Sequence, residues 1–179
     1  MDKAQQHWII TSVTLISGKE PLGKQTMTNI AHVLAHAEVS CRATGARLTE
    51  KRKRILSGLL QSEKAQSAYE LISYMQKEFG ESLPPTTVYR ILDFLAKENL
   101  VHKLHLANKY VACSHISCNH AHEVPQFLIC DECSNVKEIG IKKALINTLK
   151  VNVEKSGYIL KSPQLELHCL CQDCAKTAA

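Results

Sequence analysis

The 179-residue chain has no run of about 18 apolar residues, the length a helix needs to cross a membrane, so a membrane-spanning role is not expected. Its early apolar stretch, WIITSVTLI at 8–16, has no small-residue cleavage site behind it; Gly18-Lys19-Glu20-Pro21 follows instead. A secretory signal is therefore not expected, and the chain reads as cytoplasmic. No internal repeat or low-complexity tract is present. Strong excess charge is missing too: the net charge of +5 is too mild to imply nucleic acid by itself. Cysteine is the most uneven absence, because Cys41 stands alone before Cys113. A metal-poor first half is thus joined to a donor-rich second half.

That second half holds Cys113, Cys118, Cys130, Cys133, Cys169, Cys171 and Cys174, and the stretch from His102 to Glu138 adds His102, His105, His115, His120 and His122. In a reducing compartment such cysteines hold metal rather than disulfides.

Residues 1–26, with mixed polarity and no clear period, read as a flexible N-terminal extension or as the product of an upstream start, since Met27 could itself begin a chain. Thr28 caps a helix to about Arg42, with Ile30, Val33, Leu34, Ala37 and Cys41 on one face. Thr49 caps a second, with Arg52 and Lys53 outward and Ile55, Leu56, Leu59 and Leu60 inward. Ser67 and Glu70 fit a capping box for a third that carries Leu71, Ile72 and Met75. Pro84-Pro85 predicts an extended turn. Thr86 or Thr87 then opens a fourth helix with Val88, Ile91, Leu92 and Leu95 at core spacing. Two short strands, 100–106 and 109–113, meet at Ala107-Asn108.

Helices followed by a hairpin form a winged helix-turn-helix pattern, in which the helix before the hairpin enters the major groove. Tyr89 and Arg90 lie on its outward side, and Arg can read guanine or hold phosphate. The rival is a small helical domain with no ligand. The cluster from Arg47 to Arg54 has its own bland reading as a solvated helix face. After Cys118, strands at 127–130 and 136–139 surround a Cys130-to-Cys133 turn, and a helix at 142–156 and a strand at 158–167 follow. Strand edges and a helix face make dimerisation plausible. The expected fold class is α+β: a winged-helix DNA-binding domain over 27–112, then a small α/β dimerisation domain over 113–179.

Cys130-x-x-Cys133 and Cys171-x-x-Cys174 are matched pairs, each able to grip one side of a tetrahedral ion. Four thiolates leave no open position, so this site is structural; a redox CxxC is the alternative. In the first wing strand, alternation places His102 on the face of Leu104 and Leu106. An inward histidine is more often a core residue than a ligand. Cys113, one of His120 or His122, and Glu138 lie within reach and would complete a mixed tetrahedron bridging the two domains. Thiolate with imidazole favours zinc over iron or manganese.

The segments RLTEKRKRIL, TTVYRILDFL, LVHK, YVAC, FLICDEC, VKE and CLCQDC together resemble the ferric uptake regulator family. Cys113 after LVHK is similar to its zinc uptake regulator branch. The resemblance covers about residues 28 to 174. It implies a homodimeric repressor that binds double-stranded operator DNA when loaded with two Zn2+ per subunit, with no membrane or small-molecule substrate. It assigns Cys130, Cys133, Cys171 and Cys174 to structural zinc, and His102, Cys113 and Glu138 to regulatory zinc. His122, with His120 as alternative, is the fourth regulatory ligand. Tyr69 and Arg90 fall at positions resembling operator contacts, and the DNA-facing set is Arg47, Arg52, Tyr69, Thr87, Tyr89 and Arg90. The loop from Cys113 to Cys130 is about two residues longer than the branch pattern.

An enzyme reading starts from His36-Ala-Glu38 and Cys130-x-x-Cys133, which imitate zinc deaminases. It fails because Ile129, not proline, precedes Cys130, and because Cys171 and Cys174 close the metal site. Two further rivals are a zinc-stapled DNA binder without sensing, and a relative that answers iron or peroxide.

Overall fold

The computed structural model describes residues 27–62, 64–117 and 124–177. The extension at 1–26 and both His120 and His122 lie outside these described residues. Four helices come first: α1 (Met27–Ala43), α2 (Glu50–Gln61), α3 (Ala68–Phe79) and α4 (Pro85–Lys97). They pack because each presents one apolar stripe to the others. Ile55, Leu56, Leu71, Met75, Val88, Leu92 and Leu95 are all essentially removed from water.

The helix ends follow from local chemistry. Ser67 Oγ accepts from the Glu70 N–H and the Glu70 carboxylate accepts from the Ser67 N–H, so the capping box forms at α3. Gly80 ends that helix at φ +66, a left-handed conformation that glycine enters without a Cβ penalty. α4 starts earlier than Thr86: Pro84 is its extended cap and Pro85 its first residue. Proline suits that place because a first-turn N–H has no helical partner to lose.

Strands β1 (Val101–Leu104) and β2 (Lys109–Ala112) pair antiparallel, His102 opposite Val111. β1 is shorter than the expected 100–106: residues 105–108 form the turn, Asn108 is at φ +49, and Leu106, expected inward, is 75% exposed. Gln66 joins Tyr110 through two backbone hydrogen bonds of 2.8 and 2.7 Å, which ties the hairpin to the start of α3. The hairpin is covered on both faces. Val101 and Tyr110 enter the helical core, while Leu104 packs with Ala65 and Phe127.

The second unit is a three-stranded sheet of order β4-β3-β5, from β3 (Val124–Cys130), β4 (Val136–Ile141) and β5 (Glu166–Cys169), with α5 (Lys143–Lys155) between β4 and β5. β5 runs parallel to β3 and β4 antiparallel to it. A strand over 158–167 is not formed: β5 begins only at Glu166, and Tyr158 and Ile159 are exposed. Pro163 has no N–H for a ladder. The segment is instead held by the buried Gln126, whose Nε2 donates to Pro163 O at 3.0 Å and whose Oε1 accepts from Leu165 N at 2.6 Å. A short α6 (Gln172–Thr177), absent from the sequence reading, carries Cys174.

Candidate metal centres and nucleic-acid interface

The β3–β4 turn presents Cys130 and Cys133, and the end of β5 with the start of α6 presents Cys171 and Cys174. The parallel pairing of β3 with β5, Cys130 opposite Cys169, brings the pairs together. All four sulfurs lie within 4.8 Å of one another, Cys133 and Cys171 at 3.8 Å. The backbone N–H groups of Cys133 and Cys171 aim at the Cys130 sulfur and hold its thiol down at about 6. Sharing a hydrogen bond with Cys171, together with desolvation, pushes Cys174 up to about 12. Four sulfurs this close cannot all be thiolates without a cation, and an S4 donor set fits zinc. Cys169, by contrast, turns its sulfur towards Ile129 O. The exposed His168 pairs with Asp131 at 2.7 Å. Neither is among the four.

The second donor group is His102 from β1, Cys113 just past β2, and Glu138 from β4, with one ligand atom of each inside 4.8 Å. His102 Nε2 is 3.6 Å from Glu138 Oε1, and the ring lies 5.2 Å from that of Phe127. Glu138 is held from both sides. Its Oε2 accepts from Ser114 N and Oγ, each at 2.9 Å, and His115 Nδ1 is 3.1 Å from Oε1. His115 was a spare donor in the sequence. Its signal was the run Cys113-Ser114-His115, in which three polar side chains follow a strand end. Imidazole, thiolate and carboxylate from two units fit one zinc ion and leave a coordination place for another ligand.

On the helical unit, Arg90, Tyr69 and Arg47 are exposed, while Thr87 is half-buried. Tyr89, expected outward, is half-buried and packs against the core. Arg52 and Lys53, also expected outward, are half-buried. The Arg52 guanidinium lies 3.4 Å from the Phe94 ring centroid and donates to Arg47 O at 2.5 Å. Lys53 pairs with Glu38 at 2.8 Å and Glu50 at 3.2 Å, and Arg54 pairs with Glu81. Much of the basic cluster is therefore neutralised within the chain, and the exposed cations that α4 and its surroundings offer to phosphate are fewer than a charge count suggests. His36 and Glu38 of the deaminase-like triplet sit on α1 and belong to neither donor group.

Among the described residues no helix is long and apolar enough to cross a membrane. Comparison with known proteins agrees with this architecture. The chain is 34% identical over 152 residues to the zinc uptake regulation protein of Escherichia coli (strain K12), covering 85% of this chain and 86% of that one. It is 30% identical over 135 residues to the protein of that name in Mycobacterium tuberculosis, covering 74% and 97%. Its fold matches that of a zinc uptake regulator complexed with zinc and DNA, with a TM-score of 0.72, 30% identity, and 86% and 99% coverage. It also matches holo XcZur, with a TM-score of 0.68, 35% identity, and 82% and 99% coverage. The model of the ferric uptake regulator family matches residues 43–168, a span that takes in α2 to α4, the wing, the His102, Cys113 and Glu138 group and the first cysteine pair, and stops before Cys171 and Cys174. With helices, wing, sheet and two donor groups in that order, this chain belongs to the ferric uptake regulator family, whose members regulate transcription and are not enzymes.

Proposed function

We propose that this chain is a zinc-responsive transcriptional repressor that binds double-stranded operator DNA as a zinc-loaded homodimer and controls zinc uptake genes. In this reading residues 27–112 bind DNA, residues 113–179 bind metal and dimerise, and the protein works in the cytoplasm. The observation that carries it is the meeting of His102 from the wing with Cys113, just past β2 at the junction, and Glu138 of the second unit. A metal gripped by donors from two units fixes their relative orientation, which is what a metal-dependent DNA binder needs.

Each subunit would hold two Zn2+ ions. Cys130, Cys133, Cys171 and Cys174 would keep one as a structural staple. His102, Cys113 and Glu138, with His122 or His120 as fourth ligand, would take the regulatory one. Cys113 supports zinc over iron, since thiolate favours the softer ion. Thiols must lose protons to bind, so zinc affinity should fall with falling pH. Arg90 and Tyr69, exposed on α4 and α3, would meet the operator with Arg47, Thr87, Tyr89 and Arg52 around them. A second copy would cover the apolar surface of the second unit, where Leu145 and Val151 on α5 and then Tyr158 and Ile159 stand exposed. A near-complete flip from an open to a closed dimer takes about 5.5 kcal/mol of differential metal binding.

The test is a gel shift on an AT-rich palindrome across buffered zinc, with metal content measured for the parent and for Cys113→Ser. The expected parent holds two zincs per subunit and binds only when zinc is free; the variant keeps one and loses binding. A variant that binds DNA regardless of zinc would remove Cys113 from sensing and leave a zinc-stapled DNA binder.

A further inference from the structure

One row of the second sheet faces the wing. Glu138 on β4 and Glu166 on β5 are both directly opposite Phe127 on β3. Side chains in such a row share a face, each about 5 Å from the next. All three reach the hairpin or its continuation. Glu138 meets His102 and Ser114, and the Phe127 ring lies against that of His102. Glu166 takes the far end: its Oε1 accepts from His105 N at 2.5 Å and its Oε2 from Leu106 N at 3.1 Å. Gln164, two residues before it, donates from Nε2 to Lys103 O at 2.8 Å.

We infer that Glu166 is a positioning residue for DNA binding: its carboxylate clamps the wing turn onto the metal-binding unit, so that the regulatory site at one end of β1 and this clamp at the other together set the angle of the DNA-binding unit. The inference rests on the proposed function. Contacts confined to the His102 end and the middle of β1 would let the wing turn swing, whereas Glu166, beside the Gln164 bond to Lys103 O, holds the turn itself. Two backbone N–H groups bound to one charged carboxylate form strong, directional hydrogen bonds. Glu166 is in neither donor group, and its carboxylate is hydrogen-bonded to Gln164 and to backbone N–H groups of the turn. Glu166 supplies no metal ligand, so its removal leaves both donor sets complete.

The experiment uses the full chain with Glu166→Ala and Glu166→Gln. Expected for the Ala variant are unchanged zinc content, an unchanged cobalt-substituted absorption spectrum and an unchanged dimer mass. The His105 and Leu106 amides should exchange faster with solvent deuterium, and operator affinity at saturating zinc should fall about tenfold, the scale of one charge-assisted hydrogen bond. Glutamine keeps one acceptor and should recover part of both effects. Protection of the two amides equal to the parent's would overturn the clamp. So would parental operator affinity despite faster exchange, or loss of zinc or of the dimer, which would make Glu166 a general fold residue. A parent that binds no operator at any zinc level sinks the proposed function instead, while the amide exchange still decides whether the clamp exists.

Discussion

The two units of this chain are held together by different physics. The helical unit closes on itself: α1 to α4 and the inner face of the wing supply one continuous core in which Ile55, Leu56, Met75, Val88 and Leu92 lose all contact with water. The second unit buries little: Cys113 at its start, Phe127, Cys130, Gln126 and Ile146 are its buried residues among those described, and α5 leaves Leu145 60% exposed. It depends on strand pairing, on four converging cysteines and on surface that a second copy would cover. Small units that cannot bury enough apolar area commonly borrow stability from a metal or a partner. The four-cysteine group thus sits in the unit with the smaller core, while the helical unit buries its own apolar faces.

Breaking the weaker side should have the largest effect. Cys174→Ser removes one donor from a closed S4 site. We expect loss of the structural zinc, of the dimer and of tertiary order in the second unit, with most of the α1–α4 helical signal retained. Metal analysis, sedimentation and circular dichroism read these together, and full retention of the dimer without zinc would show that the sheet stands alone. On the other side, Leu95→Ala should cost about 2–5 kcal/mol by opening a cavity, seen in denaturant unfolding of the helical unit with zinc content unchanged. If the first transition to shift belongs to the second unit, the division drawn here is wrong.

A change on the DNA-facing surface should leave both units folded. Arg90→Ala is expected to weaken operator binding by about 1–3 kcal/mol while zinc content and dimer mass stay as in the parent; unaltered affinity removes Arg90 from the interface. The smallest effect belongs to the cap of α3. Hydrogen bonds from Ser67, side chain first and backbone second, hold the Glu70 carboxyl below its usual range. A depressed carboxyl stabilises the fold above its unfolded value, and that contribution fades as pH falls below 4.5 and through the folded value. Ser67→Ala should cost about 1 kcal/mol at neutral pH and less in acid; an equal cost at both would place its effect elsewhere.

The residues differ in how far the sequence revealed them. Val88, Ile91, Leu92 and Leu95 are legible because helical spacing alone puts them on one face, and all four are buried. The Ser67–Glu70 box is legible because short-range chemistry decides it. The strand at 158–167 misled because its apolar residues signal burial, whereas here Tyr158 and Ile159 face out. Arg52 misled for the opposite reason: charge suggests solvent, but Phe94 on a neighbouring helix offers its ring.

Local order in the chain thus determined the helices, the capping box of α3, the hairpin of the wing and the paired CxxC motifs, since each depends on residues within a few positions of one another. Only the tertiary structure decided that His115 and Ser114 hold Glu138, that Gln126 stands in for a missing strand partner, and that Glu166 clamps a turn 60 residues away. Such contacts arise from the register of strands brought together by the whole fold, and sequence spacing carries no record of that register.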